Sequence, residues 1–210
     1  TTTPTPPPAS QISISITDNV PGTAVGPVTF TFTFAAPVSG FTASDVQVAG
    51  GTPGAFAQIS PSIYTLVVTP AAVTQAGQII LNVPVGAGTG AAGNPTGAGA
   101  AIQAYDTAPP AVAISNNAPP VANGPVTFTF TFSETVTGFD AGDIAISGGS
   151  LVGGSFSGSG TTYVAQVMPT AGAAGTMVVG VPAGVAVDAV ALPNRAAANS
   201  LVAYDRLAPT

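Results

Sequence analysis

Gly26-Pro27-Val28-Thr29-Phe30-Thr31-Phe32-Thr33-Phe34 alternates strictly between apolar and hydroxyl side chains, and the same nine residues return from Gly124 to Phe132. A β-strand sends successive side chains to opposite faces, so Val28, Phe30, Phe32 and Phe34 share one face and the threonines the other. β-branched and aromatic residues suit a pleated, half-buried surface. One face of this strand therefore belongs to a core.

Working outward, 16 of the 26 residues from Gly26 to Gly51 recur 98 positions later. Tyr64 matches Tyr163, Val83-Pro84 matches Val181-Pro182, and Tyr105-Asp106 matches Tyr204-Asp205. A period this long and this firm marks a tandem repeat. Each copy holds about seven short stretches that read as strands, separated by Gly, Pro, Asn and Asp turn signals. In the first copy they are 11–17, 28–34, 45–49, 55–59, 63–69, 78–83 and 101–105. In the second they are 111–115, 126–132, 143–147, 150–156, 162–168, 176–181 and 200–204. The expected fold is all-β: two tandem antiparallel Ig-like β-sandwiches. The expected domains are a Pro/Thr-rich extended tail over 1–10, Ig-like domains over 11–106 and 111–205, a junction over 107–110, and the start of another junction or tail over 206–210. The Gly/Ala-rich stretch 86–100 reads as a long loop.

Composition excludes several classes of function. Only 5% of the residues are charged, against about 25% in an ordinary protein, and the formal net charge is −6. Two arginines and no lysine cannot neutralise a phosphate backbone, so nucleic acid is not an expected partner. Membrane insertion is not expected either, because no apolar run approaches the roughly 20 residues of a spanning helix. Without His or Cys there is no Ser-His-Asp triad, thiol nucleophile or ordinary zinc site. Gly88-Thr89-Gly90-Ala91-Ala92-Gly93 has the spacing of a dinucleotide loop but neither its strand–helix setting nor its acidic partner. Glu134 and Asp140 have the chemistry of a glycosidase pair, but the sequence puts them on one short turn with no tryptophan platform. No enzymatic activity is expected. A start at Thr1 without a leader fits a mature exported chain or a piece of a longer one.

The run Phe132 to Ile144 (FSETVTGFDAGDI), the segment Val181-Pro182-Ala183-Gly184 with its following Asp188, and the Tyr-Asp-x-x-Ala-Pro junction resemble the bacterial Ig-like repeats of large surface adhesins. The resemblance implies an extracellular, cell-surface stalk of end-to-end domains, often stiffened by Ca²⁺ near the junctions. Carried over residue by residue, it offers Asp106, Glu134, Asp140, Asp143 and Asp188 as Ca²⁺ ligands. The first copy has Ala36, Thr42 and Gly90 where the second has Glu134, Asp140 and Asp188, and keeps only Asp45. The other reading of these aspartates is turn capping, in which the carboxylate accepts backbone amides.

With so few charges, sheet edges lack the common protection against pairing with another chain. That leads to an expectation of self-assembly, a homopolymer or contact with neighbouring Ig-like repeats, in which Gln11, Ile12, Ile14 and Ile16 add a strand to a neighbour's sheet. The competing reading pairs the same residues within their own domain, as Ala111 to Ser115 would. Tyr105 and Tyr204, at the domain ends, are expected to pack against the next domain. The alternative function is a glycan- or receptor-binding module reading through the loops 86–100 and 148–160.

Overall fold

The computed structural model describes residues 10–209; the expected tail over 1–10 lies outside them except for Ser10. The chain divides into two units, Thr1–Ala108 and Pro109–Thr210. Each is an antiparallel β-sandwich of immunoglobulin-like type.

In the first unit the alternating run forms β2 (Val28–Phe34), after β1 (Ile14–Asp18). There follow β3 (Val38–Ser39), β4 (Gln47–Ala49), β5 (Gly51–Ser60), β6 (Ile63–Pro70), β7 (Gly77–Val83), β8 (Thr89–Gly90) and β9 (Gly99–Tyr105). One sheet runs β1-β2-β6-β5, the facing one β4-β7-β9, and β3 pairs with β8. The second unit repeats the plan with β10 (Val112–Asn116), β11 (Val126–Val136), β12 (Ala145–Ser147), β13 (Gly149–Leu151), β14 (Ser157–Pro169), β15 (Ala174–Gly180) and β16 (Ser200–Asp205). Its sheets run β10-β11-β14-β13 and β12-β15-β16.

The alternation has the predicted outcome. Val28, Phe30 and Phe32 are fully buried, as are Phe128 and Phe130, while the threonines between them face outward. Burying one such side chain is worth about 1.5–3 kcal/mol, so these strands anchor both cores. A second aromatic completes each core. Phe41 packs edge-on against Phe34 at 5.0 Å and Tyr64 at 5.2 Å, and Phe139 against Phe132 at 5.2 Å and Tyr163 at 5.1 Å. The Tyr64 hydroxyl donates to the Val38 carbonyl at 2.9 Å and Tyr163 to Val136 at 3.3 Å, which satisfies the one polar atom each tyrosine buries.

Three expectations need correction. Asp45 and Asp143 do not begin strands; each closes a 3-10 turn, Ala43–Asp45 and Ala141–Asp143. The stretch 86–100 is not a free loop. Its Thr89–Gly90 pairs with Val38–Ser39, Thr96 is fully buried, and the Thr96 hydroxyl accepts from the Gly88 amide at 3.0 Å. Nor are all the edges bare. β5 carries Pro53 and two register shifts, devices that spoil an edge for a second chain. β9 is covered at its C-terminal end by Ala24, whose amide donates to Ala104 at 2.9 Å and whose carbonyl accepts from Asp106 at 2.8 Å. Ala122 covers β16 in the same way. At these three strands protection comes from proline, bulges and short covering segments rather than from charge.

Candidate functional site

Asp140 and Asp143 are caps. The Asp140 amide donates to Asp143 Oδ2 at 2.7 Å, and Asp140 Oδ1 accepts from the Gly142 amide at 2.7 Å. The first copy keeps the device with a different residue: the Thr42 amide and hydroxyl both donate to Asp45 Oδ2 at 2.8 Å. Reciprocal bonds of this kind satisfy donors that a helical turn leaves orphaned. Thr42 therefore replaces Asp140 without loss of the turn.

Glu134 and Asp188 are placed differently. Glu134 lies on β11, not on the turn that carries Asp140, within the register break between Thr131 and Val136. Just beyond it, Thr137 and Val187 exchange both backbone bonds, at 2.8 and 3.0 Å. That bridge holds Asp188 beside the end of β11, with carboxylate oxygens of Glu134 and Asp188 within 4.8 Å of each other. Asp188 is 6% exposed. Its Oδ1 accepts from the Val190 amide at 2.8 Å and the Leu192 amide at 2.9 Å, while Oδ2 is buried with no hydrogen-bond partner.

A buried polar atom without a partner costs about 1–3 kcal/mol, more when charged. Two ionised carboxylates at this separation repel by about 3 kcal/mol at an effective dielectric of about 20. A hard divalent cation answers both problems, because Ca²⁺ takes carboxylate oxygens among its six to eight ligands. The donor set thus fits a Ca²⁺ ion at Asp188 Oδ2 and the Glu134 carboxylate. Asp106 belongs to the first unit: its amide donates to Ala24 at 2.8 Å and its Oδ1 accepts from the Ala108 amide at 3.0 Å.

The equivalent place in the first unit has the same backbone and no carboxylate. Ser39 pairs with Thr89 as Thr137 does with Val187. The Gly90 amide donates to Asn94 at 2.9 Å as that of Asp188 does to Leu192 at 3.2 Å. Gly90 stands for Asp188 and Ala36 for Glu134. The space is taken by Ile12, 8% exposed, whose Cδ1 would collide with any Cβ on Gly90.

The remaining sequence-predicted positions are placed as follows within their own units. β1 pairs with β2 from Ile14↔Phe34 to Asp18↔Phe30, which turns Ile14 and Ile16 toward the core of the same unit. The Ile12 amide donates to Pro95 at 3.0 Å, and Gln11 is exposed. Tyr105 and Tyr204 are buried in the cores of their own units, 3% and 7% exposed. The cause is the residue opposite. Tyr105 pairs with Gly77 and Tyr204 with Gly175, and a Cβ on Gly77 would collide with the Tyr105 ring. Sequence reading missed that glycine pairing and the role of Ile12. The alternation Ile12-x-Ile14-x-Ile16 carried a signal for burial but none for what Ile12 covers.

A model of the bacterial Ig-like domain matches residues 5–105 and 106–204. No curated protein matches the chain. Among solved structures, the Yersinia pseudotuberculosis adhesin InvE aligns at 14% identity over 93% of this chain and 58% of that one, with a TM-score of 0.34. The N-terminal part of the bacterial S-layer protein SbsC aligns at 13% identity over 93% and 44%, TM-score 0.34. Yersinia pseudotuberculosis InvD aligns at 20% identity over 92% and 56%, TM-score 0.31. This chain spans about half the length of those three structures. The family matches cover nearly the whole sequence and meet where the repeat does, and the chain belongs to the bacterial Ig-like domain family, in two tandem copies.

Proposed function

We propose that this chain is a non-enzymatic structural segment of a bacterial surface adhesin, a spacer that joins neighbouring Ig-like repeats outside the cell. The observation that carries the reading is the tandem pair itself: two copies of one bacterial Ig-like domain, each closing its own core with its own aromatics. InvE, an adhesin, and SbsC, an S-layer protein, belong to the same setting. A spacer needs folded length and needs no reactive group. Antibodies raised against the chain should label intact cells of the source bacterium. Labelling only after permeabilisation would sink the proposal.

Assembly into a homopolymer by strand addition is the finer alternative. It requires β1 to leave β2, against the five paired residues from Ile14 to Asp18. Sedimentation of the purified chain separates the two: a single monomeric species supports the spacer, and filaments support the polymer. The loop-reading alternative for glycans or receptors has less to work with, since residues 86–100 are committed to their own domain.

The second unit is further proposed to hold Ca²⁺ through Glu134 and Asp188. The ion would neutralise the two carboxylates and fix the segment after Val187 to the end of β11. The observation favouring it is the buried, unpartnered Asp188 Oδ2. Calorimetric titration with Ca²⁺ should show one site, lost in Asp188→Asn. An unchanged site in that variant would place the ion elsewhere.

A further inference from the structure

We infer that the first unit carries the same pocket closed by hydrocarbon, with the Ile12 side chain in the place of the cation, so that the chain's response to Ca²⁺ is confined to the second unit. The inference rests on the cation reading of Asp188 for its second half only; the plug itself stands on the geometry of the first unit.

The two pockets share a frame. In each, a strand pair holds the descending segment, Ser39↔Thr89 in one and Thr137↔Val187 in the other. In each, the segment then turns back on itself through a residue of positive φ, Gly93 at 78° and Ala191 at 65°. The entering chain is stitched to the same place: the Gly97 amide donates to the Ile12 carbonyl at 2.8 Å, as the Arg195 amide donates to the Pro110 carbonyl at 2.8 Å. Ile12 and Pro110 are therefore equivalent. What differs is what fills the space between frame and entering chain.

In the second unit that space holds two carboxylates, which cannot close it alone: like charges repel, and Asp188 Oδ2 finds no donor. In the first unit both acids are gone, and one of the replacements has no side chain. Ile12 Cδ1 sits against the Gly90 Cα face so closely that an alanine there would not fit. Ala36 is partly buried and packs against the same core. Four carbon atoms of one isoleucine thus replace an ion and its ligands. A close-packed apolar pocket offers a divalent cation neither charge nor oxygen, so it excludes the ion rather than binding it weakly.

Amide hydrogen exchange on the full chain, in excess Ca²⁺ and in chelator, reads both halves. At a Ca²⁺ concentration ten times its Kd, amides that exchange by opening the occupied site should slow about tenfold. That slowing is expected over residues 186–194, and no change over residues 86–97. Slowing in both segments would overturn the inference while leaving the cation reading intact. No slowing in either would remove the cation reading, and Ile12→Ala then decides the plug. In that variant exchange over 86–97 should speed up with and without Ca²⁺; unchanged exchange there would overturn it. The converse variant carries Pro110→Ile, Glu134→Ala and Asp188→Gly together. It should keep the protection of residues 186–194 seen in Ca²⁺ but hold it equally in chelator. Loss of protection in both conditions would show that isoleucine does not substitute for the ion.

Discussion

The segments after β8 and after Val187 follow one path and are closed by opposite chemistry. In the first unit Ile12 packs onto Gly90, with Ala36 partly buried against the same core; in the second Asp188 and Glu134 bring two carboxylates within 4.8 Å. Most of the backbone bonds around them correspond, among them Gly90→Asn94 with Asp188→Leu192 and Gly86→Thr96 with Gly184→Asn194. The comparison teaches that this frame tolerates either solution, and that the residues at three positions choose. It also teaches that mixed solutions should fail, because a carboxylate against isoleucine has no partner and a glycine against glutamate leaves a hole.

The sharpest way to break the comparison is to mix them. Gly90→Asp drives a Cβ into Ile12 and buries an unpaired charge, and should destabilise the first unit by about 3–5 kcal/mol, seen as an early transition in two-step urea unfolding. Ile12→Ala comes next. It leaves a cavity over Gly90 and should cost about 2–4 kcal/mol in the same unit, with the second transition unmoved. In the second unit, Ca²⁺ at a hundred times its Kd should add about 2.7 kcal/mol, raising its melting temperature by about 10–20 °C. Asp188→Asn should abolish that shift in a calorimetric scan while the first unit melts as before. The smallest effect belongs to the caps. Thr42→Asp copies the second unit's turn into the first and should change stability by no more than about 0.5 kcal/mol, whereas Thr42→Ala removes one acceptor-bonded hydroxyl and should cost about 0.5–1 kcal/mol. A Ca²⁺-dependent change in either Thr42 variant would mean that the capping aspartates bind the ion after all.

How much of this could be read from the sequence follows from how local each signal is. The strand Val28–Phe34 and its copy were legible because side-chain alternation is a property of a single strand and needs no partner. The repeat register was legible for the same reason, and it brought Glu134 and Asp188 into view as acids missing from the first copy. What could not be read depends on cross-strand neighbours. Tyr105 looks like a terminal aromatic until Gly77 is found opposite it. Residues 86–100 look unstructured by their glycines, yet Gly88 and Gly90 are small because other residues pack onto them. Asp140 and Asp188 are the same residue type at similar turn-rich sites. Only burial tells them apart, one exposed and bonded to its own turn, the other buried with a spare oxygen.

The covering segments at the edge strands have a mechanical meaning. Ala24 runs parallel to β9, and Ile12 runs parallel to Thr96 just before it. The chain enters each unit through these segments and leaves it through the last strand. A pull on the two ends therefore slides parallel neighbours past each other, so that within each pairing the bonds are loaded in shear rather than opened one after another. Among the described residues the first unit has four such bonds, made by Ile12 with Pro95 and Gly97 and by Ala24 with Ala104 and Asp106. The second has the counterparts of three, through Pro110 to Arg195 and Ala122 to Ala203 and Asp205, because Pro110 has no amide hydrogen to give. Among the described residues the second unit thus has one bond fewer in this arrangement, and a cation held by Asp188 would sit on the segment to which Pro110 is stitched.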